Sequence, residues 1–285
     1  MNASDRTHAK TNIFSPEKRE EILNRILNSL RTDERIAGIL IVGSGAVGFD
    51  DDYSDIDLSV VVAEENDVHP VFCTCGEAIK KLLPIIGHFE VTYGIHSYLH
   101  GFLTDNFLEI DIGFVCLSEL TAKRERWKVA FDYSGKIEAI MRSSWEKRPQ
   151  QDIKGIYSYR ISAIWHHIIH VVIALRRNQS WKALHYLERI RNQTFEFAGM
   201  RMGLEVDNFR QVDQMPRDFL SGLQQTLVIS LDTNGIMHAL KLVVESFFRE
   251  ARNLDDILEL DVASKLESKM TEFLNSLVLQ RLVQE

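Results

Sequence analysis

Residues 36–62 read IAGILIVGSGAVGFDDDYSDIDLSVVV, and this stretch decides the fold of the first half of the chain. Its two apolar runs, residues 36–42 and 55–62, predict two buried strands. Small residues at 43–48 and a polar loop at 50–54 separate the runs, as a turn between strands requires. The stretch therefore predicts a strand, a glycine-rich turn and a second strand.

Two carboxylates on the second strand are candidate metal ligands. Asp55 and Asp57 are two residues apart, so both side chains project from the same face of a strand, while Ile56 and Leu58 point into the core. Like charges held side by side repel, and a folded protein usually compensates them with a cation. Carboxylate oxygens suit Mg²⁺, with Mn²⁺ as the alternative ion.

A third candidate acid lies further along the chain. Asp111 falls within residues 107–115, whose alternating pattern predicts another strand. Its neighbours Ile110 and Ile112 are aliphatic, and a lone carboxylate buried opposite them is costly unless it meets a charge. Glu109 shares the face of Asp111, so it is the alternative for the third acidic position.

The turn after the first strand is a candidate phosphate-binding segment. A strand that runs into Gly43-Ser44 places small residues where a backbone approaches another group closely. Exposed N–H groups in such a turn, with the Ser44 hydroxyl, can hold phosphate oxygens.

A cluster of cations follows the predicted strands. It is read either as a solvated face or as a contact for a triphosphate, and both interpretations stay open. Its members are Lys123, Arg124, Arg126 and Lys128.

Together these motifs resemble the nucleotidyltransferase (polymerase-β-like) superfamily, with Gly43-Ser44, then ten residues, then Asp55-Ile56-Asp57, and Asp111 later. The fuller string of residues 33–62 is similar to the aminoglycoside/lincosamide antibiotic adenylyltransferase branch. Residues 126–137, RWKVAFDYSGKI, resemble the strand–turn–strand that closes the catalytic domain of that branch. Beyond residue 137 the resemblance is one of architecture.

The resemblance implies an enzyme that moves AMP from ATP onto a hydroxyl of a small molecule, an aminoglycoside-like or lincosamide-like antibiotic. It implies that Asp55 and Asp57 hold two Mg²⁺ ions. Asp111 would complete one metal site and help to deprotonate the acceptor. Gly43 and Ser44, with Asp55 and Asp57, would bind the nucleotide. The alternative function is a protein-directed adenylyltransferase, or a regulatory nucleotide-binding module of a toxin–antitoxin type.

The second half of the sequence has a helical pattern almost to its end. Predicted helices cover residues 153–177, 181–202, 216–228, 235–251 and 254–282. We therefore expect an α+β protein, with a mixed β-sheet nucleotidyltransferase domain at residues 1–148 and an all-α helical-bundle substrate-binding domain at 149–285. Ligand sites form preferentially at domain interfaces, so we expect the bundle to contribute to acceptor binding. Candidate groups for a cationic acceptor are Glu188, Glu196 and Glu205.

Three histidines at helical spacing, His166, His167 and His170, lie in the first of these helices. They alternate with aliphatic residues, which is typical of a packed face. Their spacing also suits a metal ion, and any role for them stays open.

Composition excludes several classes of protein. The chain has 285 residues, with 33 Lys+Arg against 41 Asp+Glu and a net charge of −8, which argues against a protein that tracks nucleic-acid backbones. Three cysteines do not form a disulfide framework, so we expect free thiols and a cytoplasmic location. The longest uncharged, mostly apolar run, residues 36–49, is 14 residues long, short of the roughly 20 needed to cross a bilayer. The oligomeric state is open, with a homodimer as one option.

Overall fold

The computed structural model of the protein describes residues 15–49, 53–149 and 151–282, and the chain divides into two compact units, residues 1–149 and 150–285. The described part of the first unit holds six strands and three α-helices, and that of the second holds helices and no strand. The predicted order, a mixed sheet followed by an all-helical region, is confirmed. Part of the predicted loop at residues 50–54 lies outside the described residues. None of the described helices is long and apolar enough to cross a membrane.

The first unit is built on one mixed sheet with the strand order β3-β4-β5-β2-β1-β6. The strands are β1 (Ile36–Val42), β2 (Ile56–Val62), β3 (Ile85–Gly94), β4 (Ser97–Thr104), β5 (Glu109–Cys116) and β6 (Lys128–Asp132). β2 and β5 pair in parallel, and the other neighbouring strands pair antiparallel. Because parallel strands need a crossover connection, the chain from β2 to β5 passes through a helix and the β3–β4 hairpin.

Three helices accompany the sheet: α1 (Pro16–Leu30), α2 (Val68–Leu82) and α3 (Ile137–Glu146). α1 begins at Pro16, because Ser15 caps it with a 3.4 Å hydrogen bond from the Lys18 amide and Pro16 occupies the first turn.

The sheet buries one face under α1 and α2. Leu58 of β2 and Ile112 of β5 belong to the main core of this unit, together with apolar residues of both helices. Side chains alternate along a strand, so Asp57 and Asp111 leave the sheet on its other face. On that second face α3 packs Ile137 in a smaller cluster of buried residues.

The segment 126–137 departs from the strand–turn–strand expected from the sequence. β6 ends at Asp132, and the chain enters α3 instead of a second strand. The Asp132 carboxylate accepts hydrogen bonds from the amides of Gly135 and Ile137, at 2.8 and 2.9 Å. The bond from Ile137 satisfies the first amide of the helix, and the bond from Gly135 satisfies an amide of the turn before it. The expected hairpin is therefore wrong.

The described part of the second unit contains five α-helices: α4 (Ile153–Arg176), α5 (Ser180–Met202), α6 (Arg217–Gln224), α7 (Thr233–Leu258) and α8 (Ala263–Leu282). The break predicted after residue 251 is wrong, because Ala251 and Leu254 are buried in the core and α7 continues past them. The chain reverses at Glu259, which has a positive φ of 54°.

A buried polar cluster fixes this reversal. Asp255 Oδ2 accepts hydrogen bonds from the amides of Val262 and Ala263, at 3.1 and 2.8 Å. Its Oδ1 accepts one from the hydroxyl of Tyr157 on α4, at 2.7 Å. One carboxylate thus joins the end of α7 to the start of α8 and to α4.

We predict that Tyr157→Phe lowers the free energy of unfolding by about 2 kcal/mol, because it removes a buried hydrogen bond to a charged group. Urea unfolding measures the change. Tyr159→Phe is the matched control, since Tyr159 is on the same helix and 75% exposed. Equal effects of the two substitutions would contradict this role of Asp255.

Candidate active site

Asp57 and Asp111 lie opposite each other on the parallel strands β2 and β5. Neighbouring strands are about 4.8 Å apart, so the two carboxylates leave the same face of the sheet side by side. Asp55 lies one residue before β2, close enough for its negative charge to act on Asp111. The fold thus brings Asp57 and Asp111 together and places Asp55 near them, although the three acids are not close enough to share a single ion among the described residues.

Asp111 carries a buried oxygen that lacks a donor. Its Oδ1 has no hydrogen-bond partner among the described residues. Burial raises the pKa of this carboxyl, and the charges of Glu109 and Asp55 raise it further. An unpaired buried acceptor is unfavourable, and a bound cation would satisfy it. A set of carboxylate oxygens fits Mg²⁺ or Mn²⁺, so the residues present suit the ions that the motif implies.

Gly43 brings the backbone against the Asp57 carboxylate. Its φ is +64°, and a Cβ atom built on it would lie 2.1 Å from Oδ2 of Asp57. The left-handed backbone conformation therefore favours glycine, and a Cβ atom at this position would displace the Asp57 carboxylate. The short 3₁₀ turn that follows, Gly43–Ala46, leaves Ser44 exposed at the end of β1.

A cleft of about 900 Å³ on this face contains both signs of charge. Gly43, Asp57 and Asp111 line it. Three members of the basic cluster line it as well, namely Lys123, Arg124 and Arg126. Lys128, the fourth member, lies on β6. The cleft therefore offers acidic groups for cations and basic groups for an anion.

Further residues that the sequence did not identify line the same cleft. Ser59 of β2 and Gly113 of β5 follow the two acids on the same face of their strands. Tyr93 and Ile95, which are 70% and 82% exposed, come from the end of β3 and the turn after it. No motif marks these positions. Only the strand register, with the alternation of faces, would have identified them.

Other candidate residues lie elsewhere. Glu109 is exposed at the start of β5 and contributes its charge to the field at Asp111. The rings of His166 and His170 in the second unit are in contact, with 4.2 Å between their centroids and 41° between their planes, next to Tyr186. With His167 they do not form a three-ligand metal group within the part of the chain that the structure describes.

Two of the acids considered for a cationic acceptor are already paired. Glu188 forms an ion pair with Arg191, and Glu196 forms one with Arg160 at 2.7 Å. Burial raises the pKa of Glu196, an effect that Arg160 opposes. These carboxylates are therefore less available to an external cation than the sequence suggested.

Comparison with solved structures finds several distant similarities, two of which are to the following proteins. One is to an aminoglycoside 6-adenyltransferase from Bacillus subtilis, with a TM-score of 0.45 and 11% identity, over 92% of this chain and 98% of that one. The other is to a nucleotidyltransferase-like protein from Exiguobacterium sibiricum, with a TM-score of 0.39 and 12% identity, over 84% and 79%. No protein-family model and no curated protein sequence matches the chain. Neither structural similarity is strong enough to decide the function.

We predict that Asp111→Asn stabilises the metal-free protein at pH 7 by up to about 1 kcal/mol. The raised pKa of Asp111 means that its ionised form opposes folding. This penalty grows as the pH rises from the ordinary value of 3.8 through the folded-state pKa. Urea unfolding in EDTA at several pH values measures the difference. Glu34→Gln, which removes an exposed carboxylate just before β1, should change little; an equal gain there would contradict the assignment.

We predict that Gly43→Ala disrupts the site while Gly135→Ala does not. The two glycines have nearly the same φ, +64° and +66°, but a Cβ at Gly135 meets no atom within 4 Å. Both substitutions should cost about 1–2 kcal/mol in backbone strain. Gly43→Ala should also abolish the Mg²⁺-dependent rise in melting temperature that we expect ATP to produce, because its Cβ displaces the Asp57 carboxylate. If both variants kept that rise, Gly43 would have no part in the site.

Proposed function

We propose that this protein is a metal-dependent nucleotidyltransferase that moves AMP from ATP onto a hydroxyl of a small molecule. The observation that carries the proposal is the pairing of Asp57 with Asp111 on parallel strands, where an acidic oxygen is buried without a donor. The three cations that line the same cleft support it, since a triphosphate needs positive charge nearby.

The acids would serve as the metal site. Asp55, Asp57 and Asp111 would hold two Mg²⁺ ions, with Mn²⁺ as the alternative. When bound, such ions neutralise phosphate charge and stabilise the attacking and leaving oxygens of a phosphoryl displacement.

The remaining residues would bind the nucleotide. Gly43 and Ser44 place a tight turn next to Asp57, where backbone amides and a hydroxyl can hold phosphate oxygens. Lys123, Arg124 and Arg126 would neutralise the triphosphate from the other part of the cleft. Positioning and charge neutralisation account for most of the catalysis in phosphoryl transfer.

The reaction is a displacement at the α-phosphorus. The acceptor oxygen forms a new bond to this phosphorus as the bond to pyrophosphate breaks. The acceptor proton passes to a carboxylate. We assign this role to Asp111 and not to Glu109, because Asp111 lines the cleft beside Asp57, whereas Glu109 is exposed at the strand end.

The kind of molecule that accepts AMP is the more specific part of the proposal. An aminoglycoside-like or lincosamide-like antibiotic follows from the resemblance of residues 33–62, and acceptor binding by the helical unit remains a prediction. The ion pairs of Glu188 and Glu196 leave Glu205, which is exposed, as the remaining candidate among the three acids considered for a cationic acceptor.

We predict that full-length protein with Mg²⁺ and ATP labelled at the α-phosphate transfers AMP to a member of a panel of aminoglycosides, lincosamides and other polyols. Mass spectrometry detects the adduct, and released pyrophosphate is measured in parallel. Asp57→Asn should lower the rate by about 100-fold or more, because it removes metal-binding charge without removing volume. Glu34→Gln is the matched control and should keep full activity.

The other outcomes separate the alternatives. Full activity in Asp57→Asn would show that the metal assignment is wrong. Label on a protein instead of a small molecule would favour the protein-directed function. ATP should raise the melting temperature with Mg²⁺ and not in EDTA, since triphosphate beside acids is repelled without the cation. An equal rise in both would place nucleotide binding elsewhere.

A further inference from the structure

The β3–β4 hairpin brings two histidines and a glutamate together on the helix-covered face of the sheet. Glu90 of β3 lies opposite His100 of β4, and His88 is two residues before Glu90, so all three side chains share one face. The Nε2 atom of His88 is 2.9 Å from Nδ1 of His100. Oε1 of Glu90 lies 3.6 and 3.7 Å from these two nitrogens.

These three distances suit a small tetrahedral ion. Zinc bound at about 2.0–2.1 Å holds its nitrogen and oxygen ligands roughly 3.3 Å apart. The observed separations, 2.9 to 3.7 Å, lie on both sides of that value. Shifts of a few tenths of an ångström would therefore place an ion between the three atoms. Within the described residues this is the one group of three or more such ligands close enough to share an ion.

His100 is oriented as metal-binding histidines are. Its Nε2 lies 2.9 Å from the carbonyl oxygen of Phe72 in α2, so Nε2 carries the hydrogen and donates it. Nδ1 is then the unprotonated nitrogen, and it faces His88 and Glu90. A ligand histidine typically donates its second N–H to a carbonyl or carboxylate in this way.

Helix α2 leaves room for the imidazole ring of His100. A Cβ atom on Gly76 would lie 2.6 Å from Nε2 of His100. Glycine is unfavourable inside a helix, yet it occupies the middle of α2. The imidazole stacks on Phe72 at 3.8 Å between centroids, with 6° between the ring planes. Phe72 and Gly76 of α2 therefore form a packing site that fits the imidazole ring of His100.

The group also has an access route. His100 is 1% exposed, whereas the Glu90 side chain is 53% exposed, so an ion can enter from the Glu90 side. The nearby cation Lys80 is engaged by Glu77 at 3.1 Å. Imidazole ligands favour transition metals such as Zn²⁺, whereas the acids on the opposite face favour Mg²⁺.

We propose that His88, Glu90 and His100 bind one Zn²⁺ ion, or a divalent transition metal of similar preference, with water in the fourth position. The ion would join β3 to β4 and, through His100, to α2. Three protein ligands with a fourth position open is a common zinc arrangement. This site is separate from the acidic cleft and does not depend on the proposed transfer reaction.

The test is zinc binding by metal-free, full-length protein in excess Mg²⁺, which occupies the carboxylates of the cleft. Titration against a chromophoric chelator should show one tight equivalent of Zn²⁺. His88→Gln and Glu90→Gln should each weaken it by about 100-fold or more, because even the loss of an outer-shell partner costs about 10–100-fold. Zn²⁺ should also raise the melting temperature of the wild type and not of Glu90→Gln.

His170→Gln is the matched control, because His170 belongs to the histidine pair of the second unit, which lacks a third ligand among the described residues. It should bind Zn²⁺ like the wild type. Glu90→Gln changes an exposed side chain, so it keeps the test decisive if His88→Gln fails to fold. The proposal is overturned if the wild type binds no tight equivalent, if Glu90→Gln binds as tightly as the wild type, or if His170→Gln loses the ion.

Discussion

The parallel pairing of β2 with β5 is the constraint on which the candidate active site depends. It sets Asp57 beside Asp111 at one register position, an arrangement of like charges that opposes folding in the absence of a cation. The aliphatic residues that alternate with these acids, such as Leu58 and Ile112, bury the opposite face under two helices. Their burial holds the register, because a slip by one residue would exchange the buried and exposed faces. The hydrophobic core therefore keeps the two acids together.

The sequence predicts local structure well where a single interaction, such as apolar burial or helix capping, determines it. The apolar run of β1 gives the bounds Ile36–Val42 directly, and Ser15 with Pro16 marks the start of α1. It fails at Asp132, because the sequence pattern is compatible with a hairpin, whereas the carboxylate accepts hydrogen bonds from an amide of the turn and from the first amide of the next helix. It also fails near residue 251, because an apolar stretch gives no sign that Asp255 fixes the reversal further on.

The acidic site and the histidine group also differ in how much of each can be predicted from the sequence. Asp55 and Asp57 are two residues apart, so the strand period alone predicts that they share one face, although Asp55 lies one residue before β2. Their approach to Asp111 depends on the parallel pairing of β2 with β5, which the sequence pattern does not predict. The group of His88 and His100 is harder still, because its members are twelve residues apart and meet only in one hairpin register. Local periodicity thus identifies single ligands, and strand pairing assembles them.

The packing site of the His100 ring restricts which substitutions the chain tolerates. Any side chain at Gly76 collides with the imidazole, whose ring is held between Phe72 and the strand behind it. Alanine at position 76 improves the helix only after position 100 has lost its histidine. The same substitution is therefore harmful in one background and favourable in another. We therefore expect the two positions to be coupled, so that a side chain at position 76 is tolerated only after His100 has been replaced by a smaller residue.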